Sequence, residues 1–362
     1  MDNLSRFIFT FILAVLLGAL FTKIFIYLAN RFKILDYPRA TRKIHNQPMP
    51  LLGGVAIYLS FLTVIILMWQ NHQLLDSRLS GTMIVWFLLA GLVLVINGII
   101  DDKWSLPAYL TIWGPIIASI LVIIGGLKIT YITNPEGGIL YLNSVFSSIF
   151  NWQGADYSFA WLSIIITFLW LLGTTYTTKL LDGIDGLTSS IGLVASLVIF
   201  VLSLSWDVVG STTSILSLAL AGSILGFLFF NWYPAKIFLG EGGSTLIGFS
   251  LGVLSIISGS KIATAILVMG LPLLDIIWVI ARRIKSKRPI WQGDKNHLHF
   301  RLLDAGLSQR QVVFFFSIIS LLFGLLSIIF TTKAKIGALV VVIILMFIVS
   351  TWLNYRLKQN NA

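Results

Sequence analysis

The chain of 362 residues contains no cysteine. That excludes a disulfide framework and any thiolate metal site. Charge is scarce as well: Asp, Glu, Lys and Arg make up 11% of residues. A soluble protein with so little charge could not cover its surface. With 57% hydrophobic residues and a mean hydropathy of +0.94, the composition is that of a multi-spanning membrane protein. No internal repeat, low-complexity stretch or composition shift marks a second domain, so residues 1–362 read as one membrane-embedded domain. The first apolar run, from Phe7 to Leu28, is too long for a signal-peptide core and lacks a small-residue cleavage site, so it reads as a retained helix.

What is present is a series of apolar runs of membrane-spanning length. They cover 7–29, 52–69, 82–100, 106–125, 159–178, 187–204, 214–230, 245–258, 262–280, 312–330 and 336–353. The expected fold class is an all-α polytopic membrane protein of about eleven helices. Between Leu127 and Leu142, β-prone segments flank Asn134-Pro135-Glu136-Gly137-Gly138, which predicts a small extracellular hairpin. Residues 143–158 predict an interfacial segment with Phe146, Phe150 and Trp152 toward lipid. The net charge of +11 bears on orientation and anionic partners rather than nucleic acid. Eighteen of the 25 Lys and Arg gather on one side of the predicted spans, and that side should be cytoplasmic. The N-terminus is then outside and the C-terminus inside.

Polar clusters interrupt the apolar chain, and all fall on the basic side. Lys179-Leu180-Leu181-Asp182-Gly183-Ile184-Asp185-Gly186-Leu187 carries two carboxylates three residues apart, which one helical turn would put on one face. An Asp/Gly turn between two helices is the plainer reading. Arg42-Lys43-Ile44-His45 runs into Gly53-Gly54, a glycine pair at a helix start that could cradle a phosphate; a basic loop with a Pro/Gly helix start is the alternative. Asp101-Asp102 closes the third span, where adjacent acids repel and oppose the helix dipole, so their placement asks for another reason. Gly240-Glu241-Gly242-Gly243-Ser244 sets an acid among glycines, a weak phosphate-nest pattern.

The loop 282–310 carries Asp294, His297, His299 and Arg301. Two histidines at i, i+2 share a face only in extended chain. Zinc needs about three protein ligands, and His45 and His72 offer little help, so the pair reads as a phosphate or sugar contact. Carboxylates without cysteine imply a hard cation: Mg²⁺, or Mn²⁺, held through one or two carboxylates and substrate phosphates. The chemistry this suggests is phosphoryl transfer, with a lipid as one substrate.

Taken together and in this order, the motifs resemble those of the polyprenyl-phosphate N-acetylhexosamine-1-phosphate transferases, with the phospho-N-acetylmuramoyl-pentapeptide transferases as a sister branch. The resemblance spans nearly the whole chain. It implies a Mg²⁺-dependent membrane enzyme that moves a sugar-1-phosphate, most simply GlcNAc-1-phosphate, from a UDP-sugar to polyprenyl (undecaprenyl) phosphate and releases UMP. That is a first membrane step in cell-wall or surface-polysaccharide synthesis. By the resemblance, Asp101 and Asp102 engage or deprotonate the lipid phosphate, and Asp182 and Asp185 serve the metal and nucleotide-sugar region. Glu241 joins Asp182 at the metal, and Arg42, Lys43, His45, Lys179, His297, His299 and Arg301 contact substrates. The family usually has Asn at Lys179, Asp at Glu241 and His at Phe300. Two other readings stand beside this one: an ion- or proton-coupled transporter, and a CDP-alcohol-type phosphotransferase, whose Asp-Gly motif wants Ala-Arg where this chain has Ile184-Asp185. The hexosamine, and whether two copies form a homodimer, stay open.

Overall fold

A computed structural model describes residues 2–38, 47–71, 74, 79–134, 136–143, 147–152, 155–206, 211–259, 262–287 and 296–360. The chain opens with α1 (Asn3–Arg31) and a short ladder of β1 (Leu35–Asp36) with β2 (Met49–Pro50). Helices α2 (Gly53–Gln70), α3 (Gly81–Trp104), α4 (Ala108–Thr111) and α5 (Trp113–Ile124) follow. Two hairpins come next, β3 (Tyr131–Thr133) with β4 (Ile139–Tyr141) and β5 (Ser147–Trp152) with β6 (Ala155–Ala160). Then come α6 (Trp161–Leu181), α7 (Leu187–Trp206), α8 (Thr212–Asn231), α9 (Gly240–Ile257), α10 (Ile262–Val268) and α11 (Gly270–Lys285). The chain ends with α12 (Leu298–Asp304), α13 (Gln309–Ile329) and α14 (Thr332–Asn360).

Among the described residues, nine helices are long and apolar enough to cross a membrane, and α10 with α11 makes a tenth if that pair, bent by 77°, is one span. The remaining expected span, 106–125, is a shorter apolar stretch broken into α4 and α5. Proline explains both interruptions, because it cannot donate to the carbonyl four residues back. Pro115 leaves the Thr111 carbonyl without its helical donor, and the Asn97 side chain donates to it instead, at 3.2 Å. Pro272 stands in the same relation to Val268, the last residue of α10.

The first expected hairpin is present, with Ile132 opposite Leu140. Within the segment 143–158, expected to be interfacial, Ser147–Trp152 pairs instead with Ala155–Ala160 as a second hairpin, with Phe150 opposite Tyr157. Ala155-Asp156-Tyr157-Ser158-Phe159 alternates in polarity with the period of a strand, a pattern that the count of aromatics obscured. Phe146 lies outside the described residues, as do the side chains of Phe150 and Trp152.

Helices α8 and α9 form the centre: 83% of each span is buried, against 17% of α1. Small residues set how closely the helices cross. On α9, Gly248 and Gly252 are four apart and meet Thr178 and Thr174 of α6; a Cβ on either glycine would overlap those side chains. Trp170 adds hydrogen bonds from Nε1 to the Gly252 carbonyl (3.2 Å) and Ser255 Oγ (3.1 Å). Gly98 of α3 rests on the backbone of Gly242, and Gly54 of α2 on that of Gly243. The start of α2 and the last turns of α3 therefore meet the first turn of α9.

Candidate active site

The site is built around that first turn. Gly240 has φ of +71°, and a Cβ there would overlap the Asp102 carboxylate. Asp102 Oδ1 accepts a hydrogen bond from the Glu241 N–H at 2.9 Å. Its acid therefore stands at the N-terminus of α9, where the helix dipole favours an anion, although it is borne on the C-terminal end of α3. This is the reason its placement called for. Asp101 Oδ1 accepts from the Leu106 N–H at 2.8 Å and fixes the chain as it leaves α3.

The expected phosphate cradle at Gly53-Gly54 is not available as such. Gly53 and Gly54 donate their N–H groups to the carbonyls of Phe238 (3.2 Å) and Leu239 (2.9 Å). The Glu241 N–H is likewise committed, to Asp102, and Gly242 and Gly243 serve close helix contact. In both motifs the glycines let helices meet, and the N–H groups of Gly53, Gly54 and Glu241 are taken by protein acceptors.

Lys179, in the last turn of α6, reaches Glu241. Its Nζ lies 2.5 Å from Oε1, at an angle that makes an ion pair rather than an aligned hydrogen bond. Thr111 Oγ1 is 3.5 Å from the same nitrogen, and the Tyr176 ring centroid is 5.3 Å away. The charge of Lys179 also reaches Asp101.

Asp182 and Asp185 do not share a helical turn. Asp182 is the C-cap of α6, and residues 183–186 are turn and bend, with α7 starting at Leu187. The Asp/Gly turn between two helices is therefore the local structure, and it carries the acids. Asp185 Oδ2 accepts from the Ala235 N–H at 3.0 Å. Asp182 is exposed on its outer side, while protein crowds its inner side. That desolvation pushes its carboxyl up to about 7; the nearby Thr188 hydroxyl opposes the rise, and the charges of Glu241 and Asp185 add to it.

Asn231, at the end of α8, ties the motifs together and was not foreseen. Its Oδ1 accepts from the Gly186 N–H (3.1 Å) and Ser189 Oγ (2.9 Å), and its Nδ2 donates to the Ile237 carbonyl (3.0 Å). The signal was a lone amide closing an apolar run, Phe229-Phe230-Asn231-Trp232. Thr111 and Tyr176 beside Lys179 were not foreseen either.

The histidine segment closes the other side. Asp275 of α11 accepts from the Leu298 N–H (2.8 Å) and pairs with His297 Nδ1 (3.0 Å), so it anchors the start of α12. His297 is the N-cap of α12 with extended backbone, which brings its ring parallel to that of His299, 5.7 Å between centroids. His299 is fully buried, packed on Phe300 at 4.2 Å, and neither ring nitrogen has a hydrogen-bond partner among the described residues. Burial, with His297 beside it, pulls its pKa down to about 3, so the ring stays neutral. Gly183 lies against it, and a Cβ there would overlap Nε2.

The structure thus brings together Asp101, Asp102, Lys179, Asp182 and Glu241, with His297 and His299 joined to them through Gly183. Arg301 goes elsewhere. It donates to Ser350 Oγ (3.0 Å), the Ser350 carbonyl (3.2 Å) and Asn354 Oδ1 (2.8 Å) of α14. Arg42, Lys43, His45 and Asp294 lie outside the described residues. Among the described residues, the Pro50 carbonyl of β2 accepts from the Phe238 N–H at 2.9 Å.

Comparison with known proteins shows what the chain is similar to. Residues 84–259 match the model of glycosyl transferase family 4. The chain is 30% identical over 352 residues to a probable undecaprenyl-phosphate N-acetylglucosaminyl 1-phosphate transferase of Bacillus subtilis, covering 95% of this chain and 90% of the relative. It is 32% identical over 309 residues to the decaprenyl-phosphate N-acetylglucosaminephosphotransferase of Mycobacterium leprae, covering 79% and 74%. It is 27% identical over 341 residues to the phospho-N-acetylmuramoyl-pentapeptide-transferase of Bacillus licheniformis, covering 89% and 96%. With its motifs gathered at one end of a membrane helix bundle, the chain belongs to the family of polyprenyl-phosphate N-acetylhexosamine-1-phosphate transferases.

Proposed function

We propose that the protein transfers a sugar-1-phosphate, GlcNAc-1-phosphate in the first instance, from a UDP-sugar to polyprenyl phosphate. An oxygen of the lipid phosphate forms a new bond to the sugar-bearing phosphorus of the donor. The bond from that phosphorus to the bridging oxygen breaks, and UMP leaves with the oxygen. The observation that carries this reading is the convergence of four separate motifs on the first turn of α9, with Lys179 the cation among their acids. The relatives named for this activity on undecaprenyl and decaprenyl phosphate favour it over the transporter.

In this reading the chain mostly positions groups and balances charge. Asp101 orients the acceptor phosphate or takes its proton, and Asp102 holds Glu241 in place through the start of α9. His297 and His299, stacked and fixed by Asp275, face the donor as neutral or donor-bearing rings. No three His, Asp or Glu side chains among the described residues converge into a metal site of their own. That donor set fits Mg²⁺, which needs one or two carboxylates and completes its shell with phosphate and water. Asp182 would hold the ion together with the donor's phosphates; Glu241, the other carboxylate expected there, is held by Lys179. Bound there, the ion would neutralise charge on the diphosphate. The eighteen basic residues expected on the site's side support a cytoplasmic site face in this reading, with the N-terminus outside and the C-terminus inside.

The test is to incubate the purified full chain in nanodiscs with UDP-GlcNAc and undecaprenyl phosphate, with and without Mg²⁺. A lipid-linked GlcNAc diphosphate should form, and UMP should appear only when the lipid is present. Lipid-independent turnover, or none with any UDP-N-acetylhexosamine, would overturn the reading.

A further inference from the structure

Lys179 and Glu241 come from two separate motifs, and they meet in space. The two side chains are 22% and 11% exposed, so the pair is largely withdrawn from solvent. A lysine ammonium has three donors and no acceptor, so it cannot ligate a cation. Its partners among the described residues are Glu241 Oε1 at 2.5 Å and Thr111 Oγ1 at 3.5 Å. The Tyr176 ring centroid lies 5.3 Å from the same nitrogen, and the side chain keeps 22% of its surface exposed. The pairing is enforced from below, because α6 and α9 are locked by Thr178 on Gly248 and Thr174 on Gly252. Those contacts hold the two backbones at the spacing at which Lys179 and Glu241 meet. A divalent ion on Glu241 would sit against the ammonium, two positive charges in a site largely closed to water.

We propose that Lys179 is the resident cation of this site. It holds Glu241 as its counter-ion and keeps a divalent ion off that carboxylate. Its ammonium also meets a phosphate oxygen of the donor, and this last clause alone rests on the transferase reading. Lysine suits such a position as a compact point charge against phosphate. The metal ligand assigned to Glu241 by resemblance is thereby replaced with an ion pair, and Asp182 remains as the protein carboxylate for Mg²⁺.

The experiment measures Mn²⁺ binding to the purified full chain without substrates, by electron paramagnetic resonance of the free ion. Lys179→Asn should tighten Mn²⁺ binding by about tenfold or more. Adding Glu241→Gln to that variant should remove the gain. Lys179→Arg, which keeps the charge, should bind Mn²⁺ as the parent does. Glu241→Gln alone should leave the parent's Mn²⁺ affinity unchanged, and this arm stands even if Lys179→Asn does not fold. With donor present, Lys179→Asn should raise the KM for UDP-GlcNAc more than it lowers kcat. Loss of Mn²⁺ binding in Glu241→Gln would overturn the proposal, as would unchanged or weaker binding in Lys179→Asn. Because the binding arms need no turnover, a failed transfer assay would count against the transferase reading and leave them standing.

Discussion

Gly183 packs against the imidazole of His299 so closely that a Cβ on residue 183 would overlap Nε2. Through this contact the Asp182–Gly186 turn and the histidine segment, more than a hundred residues apart in the chain, become one surface. The ring is fully buried and neutral, so what the contact fixes is its position.

The contact predicts a specific failure. Gly183→Ala should push the His299 ring from its place and lower kcat/KM about a hundredfold, the scale of a 1 Å misplacement. In a His299→Ala background the same change should cost little, because the overlapped ring is gone. Kinetics of the two single variants and the double variant check this: a double loss equal to the product of the single losses would show that the two positions act separately.

Asp182 predicts the acid limb of the pH profile. Its carboxyl is held up near 7, so below that pH it carries a proton, and a proton competes with a metal ion for the same oxygens. Apparent Mg²⁺ affinity should fall about tenfold per pH unit below 7 and level off above it. The same shift works against stability. The folded carboxyl keeps its proton where the unfolded one has lost it, so the folded state loses ground as pH rises from about 4 to 7. Asp182→Asn should abolish the pH dependence of Mg²⁺ affinity; an unchanged slope in that variant would assign the proton to another group.

Asp102 separates a cap from a catalyst. Asp102→Ala removes the acceptor for the Glu241 N–H and should destabilise the protein by about 1 kcal/mol. Asp102→Asn keeps an acceptor oxygen and should hold Tm near the parent value while losing the charge. If Asp102→Asn melts as early as Asp102→Ala, the oxygen is not capping α9.

Much of this was legible in the chain. The apolar runs mark the helices, and the acids with their flanking glycines mark the loops that meet at α9. What the sequence could not show was how the glycines are used. Gly53-Gly54 and Gly242-Gly243 look like phosphate cradles because glycine frees backbone donors, and only the fold shows the donors of Gly53 and Gly54 turned to Phe238 and Leu239, with Gly242 and Gly243 in close helix contact. Asp102 seemed misplaced because its partner, the start of α9, lies 139 residues on. Arg301 stood beside two histidines in sequence, yet a helical turn aims it at Ser350 and Asn354.

Arg301 and Asn231 should therefore act on stability first. Arg301→Lys loses the fork that spans Ser350 and Asn354 and should lower Tm while leaving the KM for donor near the parent value. Asn231→Leu strands the Gly186 N–H and the Ile237 carbonyl in a buried place, at about 1–3 kcal/mol for each unpartnered group. Thermal unfolding of the two variants beside donor titrations checks both; a donor KM raised at unchanged Tm would move Arg301 into the site.

The central claim is that a phosphorus atom moves with the sugar. Donor labelled with ³²P on the sugar-bearing phosphate, incubated with undecaprenyl phosphate and the purified protein, tests it most directly. The account predicts label in the lipid fraction and unlabelled UMP in solution. Label retained in released UDP would mean transfer of the sugar alone and would contradict it.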